Sequence, residues 1–435
     1  MKLRLIGPQK SYLAAAILLV GVLTSYLIPT AQRVSVVASS YPVQACPHFA
    51  SAGDTTASLP ATKLGIRYLD GKSATFARTS RSQITLTKSS LLVDSNPGTS
   101  LVFSSLNSAG TAATACTAGN PDEWFIGGSG GLTSKGQLEI VNSGLSESIV
   151  DIFPFTSKSP LAQVTVKVKA KSSAAISLDV LAPGEDSMAL HVLTRTGRVS
   201  AFLLDQRAKG LSNLGMDYVK PSDSPQKSLV IAGIYPHTGS KSGIVNSLRL
   251  LAPGSLDATV HVQVISGDGI FVPVGFDALQ VKHGSVVTIP LANLTTSSAF
   301  GLQIESDQPI LAGALTTNGS RDFAWAQPVR PLTATSMDFS GHIPVVTILG
   351  RSISVRLRGR YVTGKNFAVT INGSDIATWV PKYGVASIKF TTDPKTPVFA
   401  GALFTSGGLT QIGIAQGAAI ENTTVPFNDV HTLTH

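Results

Sequence analysis

Gln308-Pro309-Ile310-Leu311-Ala312-Gly313-Ala314-Leu315-Thr316-Thr317-Asn318-Gly319 is the stretch on which the reading of the fold turns. It is an apolar run of strand length set between turn formers. It recurs as Thr396-Pro397-Val398-Phe399-Ala400-Gly401-Ala402-Leu403-Phe404-Thr405-Ser406-Gly407, and in worn form as Gly197-Arg198-Val199-Ser200-Ala201-Phe202-Leu203-Leu204. The Ala-Gly-Ala centre carries little side chain, so a second backbone or a bulky neighbour can approach closely there. Each copy follows a series of alternating segments and reads as the last strand of a repeated β-unit.

The segments upstream repeat as well. Trp124-Phe125-Ile126-Gly127-Gly128 corresponds to Leu229-Val230-Ile231-Ala232-Gly233. Leu138-Glu139-Ile140-Val141-Asn142-Ser143-Gly144 corresponds to Leu248-Arg249-Leu250-Leu251-Ala252-Pro253-Gly254 and to Ile353-Ser354-Val355-Arg356-Leu357-Arg358-Gly359. Turn signals follow in Ser266-Gly267-Asp268-Gly269 and Asn372-Gly373-Ser374, pairs that favour hairpins. Each unit is expected to hold six or seven short strands, the size of a β-sandwich whose alternating residues fill the space between two sheets. The third copy is shorter and reads as lacking a strand pair.

Composition agrees. Charged residues make up 14% of the 435 and hydrophobic ones 43%, with 40 Gly and 24 Pro, which disfavours long helices and suits many strands joined by tight turns. The net charge of +9 is spread thinly, with no long block of like charge, so nucleic acid is not expected as a partner.

Lys2, Arg4 and Lys10 precede an uncharged, largely apolar run from Ser11 to Pro29. Basic residues before such a run fit an export signal, and its length also suffices to span a membrane. An uncleaved anchor and a cleaved signal both place the remainder outside the cytoplasm, because the basic residues hold the N-terminus inside. In such a chain Cys46 and Cys116 are expected to form one disulfide. It would close a loop of about 70 residues and stabilise by on the order of 4 kcal/mol.

The expected organisation is all-β: tandem immunoglobulin-like β-sandwich units after an N-terminal transmembrane helix. Residues 1–10 are the cytoplasmic N-terminus, 11–29 the anchor or signal, 30–43 a stalk and 44–123 an N-terminal β region holding the disulfide. Repeats span 124–220, 226–326 and 339–417, and 418–435 is a tail. Lys220-Pro221-Ser222-Asp223-Ser224-Pro225 and Gln327-Pro328-Val329-Arg330-Pro331 read as linkers.

This order of signal or anchor, Cys46-Pro47, Cys116, Trp124-Phe125-Ile126-Gly127-Gly128 and a strand ending in Asn142-Ser143-Gly144 or Ala252-Pro253-Gly254 resembles an uncharacterised family of actinobacterial cell-envelope proteins, one of the domain-of-unknown-function families. The resemblance extends from Cys46 to about Gly417. It implies an exported β-sandwich protein and brings no catalytic residues with it. Ser143 stands where the family's Asn-Pro-Gly turn has proline.

Motifs with chemistry are sparse. Gly127-Gly128-Ser129-Gly130-Gly131 spells Gly-x-Ser-x-Gly, but a nucleophile elbow or a phosphate cradle needs a helix directly after it, and here a strand follows. The histidines show no HxH or HExxH spacing, so no metal or cofactor is expected. Catalytic residues are not assigned. One pattern points to a ligand. Val355-Arg356-Leu357-Arg358-Gly359-Arg360 alternates strictly, which places Arg356, Arg358 and Arg360 on one strand face. Val166-Lys167-Val168-Lys169-Ala170-Lys171 carries the same alternation. Such stripes suit an anionic wall polymer or lipid head group, or are simply a solvated face.

The sequence therefore reads as a non-catalytic, membrane-anchored envelope protein, a structural or scaffold component that supports envelope glycan assembly. Its expected partners are the membrane, through the N-terminal helix, and an anionic wall polymer or other envelope proteins. A carbohydrate-binding or adhesin-like module is the alternative, and an unrecognised enzyme the third.

Overall fold

The computed structural model describes residues 42–415, except 61, 72, 74, 95–97, 107–109, 240–242, 292–293, 320 and 394–395, together with 19–20, 38–40 and 420–422. The expected membrane segment 11–29 thus lies outside the described residues apart from Leu19 and Val20, which are helical. Among the described residues no helix is long and apolar enough to cross a membrane. Ala38–Ser40 pairs antiparallel with Ile420–Asn422 in one compact unit, and residues 41–419 form the other.

Within residues 41–419 the described chain folds into four copies of one eight-stranded topology, each strand position being named here by a letter from A to H. In the second copy the strands are Asp122–Ile126 (A), Gln137–Asn142 (B), Ser148–Thr156 (C), Val164–Val168 (D), Ser172–Ser177 (E), Met188–Thr196 (F), Val199–Lys209 (G) and Ser212–Val219 (H). They form two antiparallel sheets ordered A-F-C-D and E-B-G-H, which share one core including Phe125, Ile140, Ile152 and Leu203. Alternating apolar residues on both sheets supply that core, as they do in any two-sheet sandwich.

The same order holds from Gln44–Cys46 to Thr111–Ala115, from Gln226–Ile234 to Asp322–Ala326, and from Thr335–Asp338 to Thr410–Gly413. The 44–123 region is therefore a first copy of the repeat, where the sequence pattern shows only three. The last copy is short for a different reason than a missing strand pair. Its B and C are one continuous strand, Val345–Tyr361, and its D and E another, Asn366–Trp379. Each crosses from one sheet to the other without a connecting loop. Asn372-Gly373, which reads as a hairpin turn, lies inside the second of these strands, where Gly373 pairs with Ile353 beside a bulge.

The Ala-Gly-Ala run is strand G, the penultimate strand. One further strand, H, hairpins back after it: Leu101–Ser105 into Thr111–Ala115, Val199–Lys209 into Ser212–Val219, residues 310–318 into Asp322–Ala326, and Phe399–Phe404 into Thr410–Gly413. The four H strands close a ring, each touching the next and the last touching the first. An apolar cluster sits at each junction. Ala45, Phe49 and Leu92 meet Val141, Phe202 and Tyr218 between the first and second copies. Trp124, Ile126 and Ala189 meet Leu251, Val286 and Leu311 between the second and third. Tyr235 and Ala324 meet Leu403 and Leu409 between the third and fourth, while Leu101 and Phe103 join the core of the fourth.

Cys46 and Cys116 are joined by a disulfide across the first copy, and both are buried. Cys46 lies on strand A and Cys116 directly after strand H, so the bridge ties together the two ends of that copy.

Candidate anion-binding face

The strand Val345–Tyr361 carries the most informative surface. Along it Val355 and Leu357 are buried while Arg356, Arg358 and Arg360 are exposed, because successive side chains point to opposite faces of a pleated strand. The pairing on both sides widens the stripe into a patch. Arg356 stands between Thr370 and Thr391, Arg358 between Ala368 and Lys389, and Arg360 between Asn366 and Ser387. Directly opposed residues share a face, so exposed Lys389 becomes a fourth cation beside Arg358. Among the described residues no carboxylate forms an ion pair with any of these four. The sequence pattern misses Lys389, since its partnership with Arg358 exists only through strand pairing.

The patch runs into a shallow groove of about 770 Å³, lined by Arg358, Arg360, Asn366, Ser387, Ser336 and Asp338, together with Pro60 and Thr62 of the first copy. Asp338 pairs with Ser387, and Ser387 with Arg360, so these three residues form one row across the sheet. Unlike the arginines, Asp338 is only 4% exposed. Burial pushes its carboxyl up to about 7, with no hydrogen bond or cation pulling it back.

The other sequence candidates have structural roles. Only Lys167 of the lysine stripe lies on a strand. Strand D ends at Val168, and Lys171 sits in a turn at a φ of 53°, so the three lysines do not form a row. Gly127-Gly128-Ser129-Gly130-Gly131 is a packing seam. A β-carbon at Gly130 would stand 2.0 Å from the Ala182 carbonyl oxygen, and one at Gly127 2.8 Å from Val219. The Gly128 carbonyl accepts from Arg249 Nη1 at 2.7 Å, and the same guanidinium lies over the Trp325 ring. Ser129 is buried and its hydroxyl accepts from the amide of Gly131, so it is placed as a turn residue.

Histidines that the spacing leaves unassigned serve as local ties. His191 stacks on Trp124 and bonds Asp122 Oδ1 at 2.8 Å, and His283 bonds Asp257. His431 and His435 lie outside the described residues. Among the described residues no group of three or more His, Cys, Asp or Glu is arranged to hold a metal ion.

A second polar cluster lies on the ring axis, fully buried. Asp217 Oδ2 accepts from Lys220 Nζ at 2.9 Å and from the Trp325 amide at 2.8 Å. Its Oδ1 accepts from the Thr410 hydroxyl, which in turn accepts from the Ala113 amide at 3.0 Å. Desolvation pushes the Asp217 carboxyl up and pulls the Lys220 ammonium down, against their mutual attraction. These groups face one another and hold the four H strands together.

A family model described as a family of unknown function, DUF5719, matches residues 97–371, well over half of the chain. The match begins in the first copy of the repeat and ends within the fourth. Its description names neither a reaction nor a cellular location. No curated protein matches the chain.

Proposed function

The chain belongs to the DUF5719 family of unknown function, and we propose that it is a non-catalytic extracytoplasmic protein of the cell envelope that holds an anionic polymer against the sheet face of its fourth copy. The observation that carries this reading is the set of four cations, Arg356, Arg358, Arg360 and Lys389, on one face without a carboxylate ion-pair partner among the described residues. Arg358 and Lys389 are directly opposed, an arrangement that costs stability unless an anion lies across it. Guanidiniums at every second residue stand about 7 Å apart and can meet phosphate or carboxylate groups bidentately. The ring of four copies supplies a rigid support, and residues 11–29 supply the attachment to the membrane, with the basic N-terminus inside.

The test is binding of the full-length protein to anionic and neutral wall fractions at low and high salt. Binding is expected only to the anionic fractions and is expected to weaken as salt screens the contacts. Replacing Arg356, Arg358 and Arg360 together by Gln keeps polarity and removes charge. A triple variant that folds and binds like the parent would show the face to be merely solvated. The attachment is tested apart: protein recovered from membranes should keep Met1 or Lys2 at its N-terminus, whereas an N-terminus near Gln32 would mean a cleaved signal.

A further inference from the structure

Asp338 does not fit a surface built only to attract anions. It lies in the same cross-sheet row as Arg360, two strand spacings or about 10 Å away, and it lines the same groove. A bare polyanion laid along Arg356, Arg358 and Arg360 would bring like charge towards it. A buried carboxylate without a donor is costly in the free protein as well, because its lost hydration is not replaced. Pro60 and Thr62 of the first copy line the groove together with Asp338, Arg358 and Arg360, so a chain bound there meets both the cations and the carboxyl.

We infer that this groove selects anionic polymers whose charged groups stand beside free hydroxyls, such as uronate chains or polyol phosphates, with Arg358 and Arg360 taking the anion and Asp338 accepting from the neighbouring hydroxyl. The inference rests on the anion-binding reading of the same face and adds the chemical class of the ligand. Ser387 stands between Arg360 and Asp338, and Ser336 and Asn366 line the same groove and offer further donors and acceptors. Among the described residues no other carboxylate lines it, so hydroxyl recognition by a charged acceptor falls to Asp338.

The experiment compares two probes of equal charge spacing, polygalacturonate and polygalacturonate acetylated on its hydroxyls. Both are titrated into the full-length protein at one fixed ionic strength. The parent is expected to prefer the free-hydroxyl chain by roughly tenfold, the low end for a hydrogen bond to a charged group. Asp338→Ala is expected to erase that preference by weakening the free-hydroxyl chain alone. Asp338→Asn, which keeps an acceptor oxygen, is expected to retain part of it and serves if the alanine variant does not fold. A parent without preference, or a preference that survives Asp338→Ala, would overturn the inference and mark any difference as steric. The joint variant Arg358→Gln and Arg360→Gln separates the two levels. If it leaves both probes bound as before, the anion-binding reading itself fails. If it weakens both while the parent shows no preference, or keeps its preference after Asp338→Ala, only the hydroxyl inference fails.

Discussion

The Thr410 hydroxyl donates to Asp217 Oδ1 at 2.7 Å, and these two residues belong to the fourth and second copies of the repeat. Thr410 also accepts from Ala113 in the first copy, and Asp217 from Trp325 in the third. One hydroxyl and one carboxylate therefore tie all four copies at the ring axis. Both residues are fully buried, so nothing replaces a lost partner.

Thr410→Val keeps the shape of the side chain and removes the hydroxyl. It leaves Asp217 Oδ1 and the Ala113 amide without their partner. The expected cost is about 1–3 kcal/mol for each buried group left unsatisfied. Thermal unfolding read by both tryptophan fluorescence and far-UV circular dichroism is the check. A midpoint equal to the parent's would mean that the Thr410 hydroxyl contributes nothing to holding the axis.

The glycine of the repeated stretch meets a backbone in two copies. A β-carbon on Gly313 would stand 2.7 Å from the carbonyl oxygen of Ile126, and one on Gly401 2.0 Å from that of Ala232. In both cases the carbonyl belongs to strand A of the preceding copy, and a glutamine of the later copy donates to it: Gln327 to Ile126 and Gln411 to Ala232. Gly313→Ala and Gly401→Ala are each expected to destabilise by roughly 1–3 kcal/mol through overpacking, with Gly401→Ala the worse. Gly254→Ala, at a position with open space around it, is the control and should change little. Denaturant midpoints that rank Gly254→Ala with the other two would refute the close approach.

Stability should fall as pH rises from 6.5 to 8.5. Burial raises the carboxyl of Glu123 to about 8 and those of Glu139, Asp322 and Asp338 to about 7. A carboxyl whose folded value lies above its unfolded one near 4 contributes stability that is full below the unfolded value and is lost as pH rises through the folded value. His48 and His342 are shifted down by burial, so their opposing effect develops only as pH drops below about 6.5. Denaturant midpoints measured at pH 6.5 and 8.5 give the sign. Glu139→Gln should reduce the slope, and a flat profile in the parent would contradict the burial of these groups.

Lys389 faces Arg358 across the sheet, so Lys389→Thr is expected to stabilise by roughly 0.2–1 kcal/mol by removing like charges that oppose each other. The same change should weaken binding to an anionic wall fraction at low salt. Stabilisation without weaker binding would leave the arginines as the binding groups and Lys389 as a bystander.

Much of the fold is legible in the sequence because it is local. Alternation along Val355–Arg360 fixes which side chains share a face, since the period of a strand is a property of its own backbone. The Gly313 and Gly401 stretches announce a close approach because only a missing side chain permits one. The first copy is not legible because its strand G, Leu101–Ser105, lacks that glycine and its upstream strands lack the sequence matches that mark the later copies. Its seam with the fourth copy is made by rings instead, with Phe103 stacked on His342 at 4.0 Å and set edge-on to Phe404. The fourth copy looks short because fused strands dispense with loops, and turn residues are what a sequence reading counts. Tertiary structure alone decided that the four H strands close a ring, that Asp217 and Thr410 meet on its axis, and that Lys389 and Asp338 join the three arginines. Each of these depends on pairing between residues far apart in the chain, where contact is set by the packing of whole sheets and not by local periodicity.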